Sequence, residues 1–285
     1  MDTQNLRTFI LLSKFKNFTI TAEKLFVAQS TVTNRISELE REVGKKLFIR
    51  DKKHIHLTEE GTLFESYAKR ILELEESAIQ KINETNFYKN IIRIGSANTI
   101  YECHLYPIIQ SFLISNKDTS IKIVLNHSQD LLQMLEDQML DIVFSYASYD
   151  KYGYQCINFA VDELILVTSP ENIEFTNGIY KKDLLKINYL MSDLALQETG
   201  HFIRSLFPPY YQFKFEIDNS TKLLQYLLNG IGYSFLPKSI VKMYIENHSL
   251  ISVPLIDFNT PLINNYLIYR INDNVAEKFL SMYLP

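Results

Sequence analysis

The sequence predicts an α/β chain that opens with a winged helix-turn-helix and a long helix. Three observations carry this. In residues 29–43, Val32, Ile36, Leu39 and Val43 recur at intervals of four, three and four, beside a knot of short polar side chains. Leu63, Tyr67, Ile71, Leu74, Ala78 and Ile82 then step by four, four, three, four and four, close to a coiled-coil seam. From Ile91 onward apolar runs alternate strand, helix, strand, helix, strand, the pattern of a parallel α/β layer.

The elements follow in order. Leu6, Phe9, Ile10 and Leu12 define a first helix that exits at Asn17-Phe18-Thr19. Thr19 is expected to N-cap a short second helix carrying Ala22, Leu25 and Phe26 on its buried side. The third helix runs from about Gln29 to Val43, with Gly44 placed as its C′ residue. Leu47-Phe48-Ile49 and Ile55-His56-Leu57 flank the charged tip Arg50-Asp51-Lys52-Lys53, which reads as two short strands and a turn, a small wing. Thr58 with Glu59 and Glu60 makes an acidic start for the long helix, and suits the positive end of its dipole.

In the remainder, IIRIG reads as a buried strand ending in Gly95, and SANT starts a helix near Tyr101 to Ser115. Ile121–Leu125 is a strand, Leu131–Met139 a helix and Asp141–Ser145 a third strand. A second set begins after Cys156 with ELILVTSP, then Leu184–Leu190 and a helix near Thr199–Leu206. KFEIDNSTKLLQYLLNGIGYSFLPKSIV gives strand, helix, glycine turn, strand and proline stop; NNYLIYR and AEKFLSMYL close with a strand and a helix.

Composition sets the outer bounds. A chain of 285 residues exceeds one small core, and 46% hydrophobic content is ordinary for a soluble globular protein. No run approaches the roughly 18 apolar residues of a membrane span. The start MDTQNLRTFILLSKFKNF lacks a basic leader and a cleavage site, so secretion is not expected and the cytoplasm is. Cys103 and Cys156 match no metal spacing and read as two reduced thiols. The net charge of −4 divides unevenly: residues 1–90 hold 15 Lys+Arg against 13 Asp+Glu, and the rest 14 against 20. Lys45, Lys46, Arg50, Lys52 and Lys53 cluster, and a local basic patch matters more for phosphate contact than total charge.

The third helix is chemically the most telling. Ser, Thr and Asn compete with the backbone in helix interiors, so their crowding at Gln29, Ser30, Thr31, Thr33 and Asn34 calls for a reason. A short helix, a tight turn at Phe26–Ala28 and a polar second helix make a helix-turn-helix, whose second helix enters the major groove. Gln29 and Asn34 offer donor and acceptor together, as adenine's edge requires; Thr31 supplies a methyl for thymine, and Ser30 and Thr33 hydroxyls for bases or phosphates. Arg35, Arg50, Lys52 and Lys53 are candidates for backbone phosphates. The competing reading is an ordinary solvated helix with a polar start.

Residues 1–62 resemble the N-terminal domain of LysR-type transcriptional regulators. The matching residues are Asn17-Phe18-Thr19, Ala22, Leu25, Val27, Gln29, Thr33, Ile36, Leu39-Glu40, Gly44, Leu47-Phe48, Arg50 and Leu57-Thr58 with Gly61. Three positions depart from the pattern: Thr21 replaces an alanine, Ala28 a serine that would N-cap the third helix, and Ser30 a common proline. Further on, RIGSANT, LDIVFS and NGIGYSFLPKSIV resemble family segments too. The resemblance implies a linker helix that dimerises and a two-lobed, periplasmic-binding-protein-like α/β effector domain. The expected division is 1–62 for DNA binding, 63–90 for the linker and 91–285 for the effector domain. Its lobe I would comprise 91–160 and 268–285, and lobe II 161–267.

Backbone N–H groups and hydroxyls at a helix start can hold an anion, which with the family position makes Ser96, Asn98 and Thr99 effector-contact candidates. Ser128, at the next strand-to-helix turn, matches another recurrent contact position of the family; Ser145 and His201 are weaker candidates, and local capping competes at each. A carboxylate metabolite is one candidate effector, although no Arg or Lys cluster marks the cleft. The linker stripe, Leu63 to Ile82, is the expected interface of a homodimer or a tetramer built as a dimer of dimers. Double-stranded promoter DNA is the expected macromolecular partner, with RNA polymerase a further one and a membrane none. His54 and His56 flank Ile55 and read as exposed strand positions rather than a metal pair. A redox pairing of Cys103 with Cys156 is disfavoured, because they miss the family's peroxide-sensing positions. No catalytic triad, carboxylate pair or phosphate loop has supporting spacing, GIG at 230–232 being too short a signal, so neither an enzyme nor a cofactor is expected. The rival function is a cytoplasmic small-molecule-binding α/β protein with an incidental helical N-terminus, which gives no reason for the wing or the polar face.

Overall fold

The computed structural model describes all residues except 51–54, 84–87, 89, 193–196 and 284–285, and leaves out the side chains of Arg50, Gln80, Lys81, Asn83, Asn90, Gln197, Glu198, Thr199, Lys278, Met282 and Tyr283. The chain divides into two compact units, residues 1–85 and 86–285.

The first unit holds α1 (Thr3–Phe15), α2 (Phe18–Leu25), α3 (Gln29–Val43), β1 (Phe48–Arg50), β2 (Ile55–Leu57) and α4 (Glu59–Asn83). Asp2 caps α1, its Oδ1 accepting from Gln4 N at 2.9 Å. The second helix begins earlier than the sequence suggests: Asn17, not Thr19, is its N-cap, accepting from Ile20 N at 3.1 Å. Asn17 wins because the helix already includes Phe18, which packs against the core. Phe26 is a second correction. It ends α2 in the left-handed conformation at φ 54° and is 94% exposed, because that geometry turns the ring out of the helix's apolar face. Leu6, Phe9, Leu12, Ile36, Leu39, Leu47, Phe48 and Ala68 form the buried core. The apolar residues of α1 and α3 therefore meet at one centre. Antiparallel β1 and β2 pair Phe48 with Leu57 and Ile49 with His56.

The 25-residue α4 is about 37 Å long at 1.5 Å per residue. Phe64, Ala68, Ile71 and Leu72 pack on the core of the unit. Leu63, Tyr67, Ile79 and Ile82 are exposed, Ile82 by 82%. Ser13 Oγ donates to Glu65 at 2.5 Å, and Arg7 reaches Glu75 and Glu76 at 3.0 and 3.3 Å, fastening α1 along α4.

The second unit starts with β3 (Asn90–Ser96), then α5 (Asn98–Ile100), a π-helical turn (Tyr101–Leu105) and α6 (Tyr106–Ser115) in unbroken succession. β4 (Thr119–Leu125), α7 (Ser128–Glu136) and β5 (Ile142–Ser145) follow. β3 pairs in parallel with both β4 and β5, so all three strands deliver their C-terminal ends to one edge. Gly95 is required there: a Cβ would stand 2.5 Å from Leu140 Cδ1 and 2.8 Å from Leu131 Cδ2.

The long β6 (Tyr154–Thr168) starts well before the strand that the sequence gives at ELILVTSP, and runs through Cys156. β7 (Leu190–Ser192), α8 (Gln197–Ser205), β8 (Phe215–Ile217), α9 (Leu223–Leu228), β9 (Tyr233–Pro237), α10 (Lys238–Glu246), β10 (Ile251–Val253), β11 (Leu262–Arg270) and α11 (Asn274–Tyr283) complete the chain. β9 ends at Pro237, the proline stop the sequence suggests, and the same residue is the N-cap of α10. The main sheet runs β10-β6-β11-β5-β3-β4, with β9 also on β6. Thus β6 pairs with β11 along its first part and with β9 and β10 along its last. One core, with Ile94, Ile100, Phe144 and Phe279, lies under the parallel strands; another, with Leu164, Met191, Phe207 and Phe235, lies beyond them. Tyr146 packs against both.

Candidate functional sites

On α3 the division by face is sharp. Val32, Ile36 and Leu39 are fully buried, while Gln29, Ser30 and Asn34 are exposed and Thr31, Thr33 and Arg35 half-buried. The buried residues fix the helix, and the polar ones stand outward on it. Thr19 Oγ1 donates to Gln29 Oε1 at 3.3 Å, Thr33 Oγ1 to Gln29 O at 3.1 Å, and Arg35 Nη1 to Thr8 Oγ1 at 3.3 Å. Arg35 therefore leans toward α1. Ala28 makes no side-chain cap, as the sequence implied, which forgoes about 0.5–2 kcal/mol of helix stability. Lys52, Lys53 and His54 lie outside the described residues, as does the side chain of Arg50.

Behind this surface, Glu40 is buried in α3. Its Oε1 accepts from Leu47 N at 3.0 Å and Phe48 N at 3.3 Å, and its Oε2 meets Lys46 Nζ at 2.7 Å. Burial raises its pKa, but the lysine and the two amides outweigh this and hold it below the ordinary carboxylate value.

In the second unit, Ser96, Asn98 and Thr99 gather where β3 meets α5, with Ser128 at the start of α7 and Ser145 at the end of β5. Their hydroxyls are turned inward. Ser96 Oγ donates to Ala97 O at 3.0 Å, Ser128 Oγ accepts from Tyr146 N at 3.2 Å, and Ser145 Oγ accepts from Ala147 N at 2.9 Å. Asn98 is half-buried. His201 is exposed on α8.

The sequence reading missed Ser220. Thr99 Oγ1 and Ser220 Oγ are 2.7 Å apart, both buried, and join the start of α5 to the turn before α9. The signal was there: DNST at 218–221 follows a strand and precedes a helix, as SANT does at 96–99. Asn219 caps this second turn, accepting from Thr221 N at 3.1 Å.

One turn along the same helix lies a polar hub that the sequence did not disclose. His104 Nε2 is 2.7 Å from Asp162 Oδ2 on β6, and Asn265 Nδ2 of β11 donates to that oxygen at 3.1 Å. Burial raises the pKa of Asp162, but His104 and the other donors bring it below the ordinary value. Burial also pushes the Cys103 thiol up to about 12, which keeps it protonated and unreactive at neutral pH. Both cysteines are free. Among the described residues no cluster of three His, Cys, Asp or Glu could hold a metal ion.

An N-terminal helix-turn-helix with a wing and a long helix, followed by an α/β unit, defines a class: DNA-binding regulators of transcription with an effector domain. Comparison with known proteins gives the family. Residues 3–62 match the model of bacterial regulatory helix-turn-helix proteins of the lysR family, and residues 88–283 that of the LysR substrate binding domain. The chain belongs to the LysR family of transcriptional regulators. It is 28% identical over 292 residues to the transcriptional regulator CitR of Bacillus subtilis (strain 168), covering 99% of this chain and 98% of the relative. It is 31% identical to YwqM of the same organism, an uncharacterized HTH-type regulator, over 85% and 84% of the two chains. The fold matches the crystal structure of CbnR, a LysR family transcriptional regulator, with TM-score 0.68 at 18% identity over 99% and 97% of the chains. It also matches Vibrio fischeri DarR in complex with DNA, with TM-score 0.58 at 21% identity over 99% and 98%. The relatives are named as regulators and not as enzymes. The idea of an incidental N-terminal domain is not favoured, since that domain matches a family model in its own right. No described helix is long and apolar enough to cross a membrane.

Proposed function

We propose that the outward face of α3 reads a promoter site through Gln29, Ser30, Thr31 and Asn34. Thr33, Arg35, Arg50, Lys52 and Lys53 bind phosphates beside it. The observation that carries this is the exposure of Gln29, Ser30 and Asn34 on a helix whose Val32, Ile36 and Leu39 are fully buried. Short polar side chains on a rigid helix suit base edges in the major groove. Residues 1–62 would form the DNA-binding domain, 63–90 the linker and 91–285 the effector domain. Leu63, Tyr67, Ile71, Leu74, Ala78 and Ile82 would form the dimer seam, supported by the exposure of Leu63, Tyr67 and Ile82. Ile71 would serve two surfaces, because it already packs on the core of its own unit.

The effector site would lie among Ser96, Asn98, Thr99 and Ser128, with Ser145 and His201 farther out and Ser220 added from the opposite side. Hydroxyls and backbone N–H groups there suit a carboxylate metabolite. A ligand can shift the regulator only by binding one of its states better than another. The protein would act in the cytoplasm as a homodimer or a dimer of dimers, with promoter DNA and RNA polymerase as partners.

Three measurements test this reading. The wild type should prefer its own upstream region over scrambled DNA by about 10³-fold or more at physiological salt; equal affinity contradicts it. Lys52→Ala should weaken binding to every sequence and lower the salt slope by about one. Leu74→Lys should yield monomers in sedimentation, and an unchanged oligomer would remove Leu74 from the seam.

A further inference from the structure

We propose that Glu40 is a positioning residue that locks the DNA-reading helix to the linker helix, and so fixes the half-site spacing a dimer recognises. The proposal rests on the reading that α3 meets bases and α4 pairs with a second copy.

Residues 46–48 form a strut gripped on both sides. On the amide side stands Glu40 of α3, accepting from Leu47 N and Phe48 N while its other oxygen holds Lys46 Nζ. On the carbonyl side stands the start of α4. Thr58 N donates to Leu47 O at 3.0 Å, and Thr58 Oγ1 to Lys46 O at 2.8 Å. Gly61 lets the first turn of α4 lie directly on the strut, since a Cβ there would stand 2.1 Å from Leu47 O. Gly61 N in turn donates to Thr58 Oγ1 at 2.8 Å.

A buried carboxylate that satisfies two amides cannot tilt without leaving buried N–H groups unpaired. Any rotation of α3 against α4 has to break that set. Among the described residues, the other side-chain ties from α3 to the rest of the unit, Asn5 to Glu38, Arg35 to Thr8, Thr19 to Gln29 and Met1 to Glu42, run to α1, α2 and the N-terminus and do not touch α4. If α4 carries the dimer seam, the angle held by Glu40 becomes, across two copies, the distance between two reading helices. Half-site spacing follows from that distance.

The test uses the full chain and a duplex that the wild type selects from a random DNA pool, with one base pair then inserted or removed between half-sites. The wild type should lose about tenfold affinity on either change. Glu40→Ala should bind the original duplex more weakly and discriminate spacing by only about twofold. Glu40→Gln keeps an oxygen for the two amides, and Lys46→Met keeps the carboxylate, so both should discriminate like the wild type. If Glu40→Ala does not fold in a thermal melt, Glu40→Asp replaces it, being one methylene too short to reach both amides. Wild-type discrimination in folded Glu40→Ala or Glu40→Asp overturns the inference. Failure of the wild type to select any duplex is a different result, and would remove the DNA-reading proposal together with this one.

Discussion

The two units treat their polar side chains in opposite ways. On α3, Gln29, Ser30 and Asn34 stand exposed above a buried apolar stripe. In the second unit, Ser96, Thr99, Ser128, Ser145 and Ser220 are buried and bonded to one another or to nearby backbone. The first surface is ready for a partner as it stands. The second is satisfied internally, so a ligand there has to exchange existing bonds for its own. A DNA reader needs a rigid preformed face, whereas a sensor needs a contact that the ligand can replace. On the proposed reading, this difference in burial matches the two tasks.

The largest expected effect breaks the support of the first surface. Ile36→Ala should cost about 2–5 kcal/mol in urea unfolding of the N-terminal unit, because Ile36 is fully buried. A loss within 0.5 kcal/mol would mean that the stripe does not hold the helix. The next change tests the inward bonding. Thr99→Val and Ser220→Ala should each destabilise by about 1–3 kcal/mol, and the double variant by little more than either alone, since both remove one bond. Additive losses would show that the two hydroxyls act separately.

Smaller changes sharpen the account of the turn. Ala28→Ser should stabilise by about 0.5–2 kcal/mol, supplying the cap that α3 lacks. Phe26→Asn should gain about 0.4–1 kcal/mol by easing a bulky residue out of the left-handed region, and an unchanged melting temperature would argue against strain there. Acid should affect both units. Glu40 and Asp162 have folded pKa values below their ordinary ones, so each contributes stability above that value and loses it as pH falls through the folded pKa. Asp141, raised by burial, works in the opposite sense at higher pH, the protein gaining stability as pH falls through its folded pKa toward the ordinary value. An acid titration followed by circular dichroism reads the balance.

The first unit was largely legible in the sequence because its signals are local. The spacing of Val32, Ile36 and Leu39 marks the buried face, and Gly44 marks the end of the helix. What escaped there was the cap at Asn17 and the exposed Phe26, which depend on one residue's backbone angle rather than on periodicity. The second unit was less legible. Its strand order joins β6 to β9 and β11 through pairs from Thr168–Tyr233 to Tyr154–Arg270, far apart in sequence, and only the ELILVTSP end of β6 reads as a strand because the burial pattern changes midway. Ser220 and the His104–Asp162–Asn265 hub come from contacts more than 50 residues apart, which no local pattern encodes.

The most direct test of the central claim compares wild type with a Gln29→Ala, Asn34→Ala double variant. Binding to the protein's own upstream region and to scrambled DNA is measured at several salt concentrations. The double variant should keep the wild-type melting temperature and the salt slope on scrambled DNA, while its preference for the upstream region falls by about 10²-fold or more. An unchanged preference in the double variant would contradict the assignment of the outward face of α3 to sequence recognition.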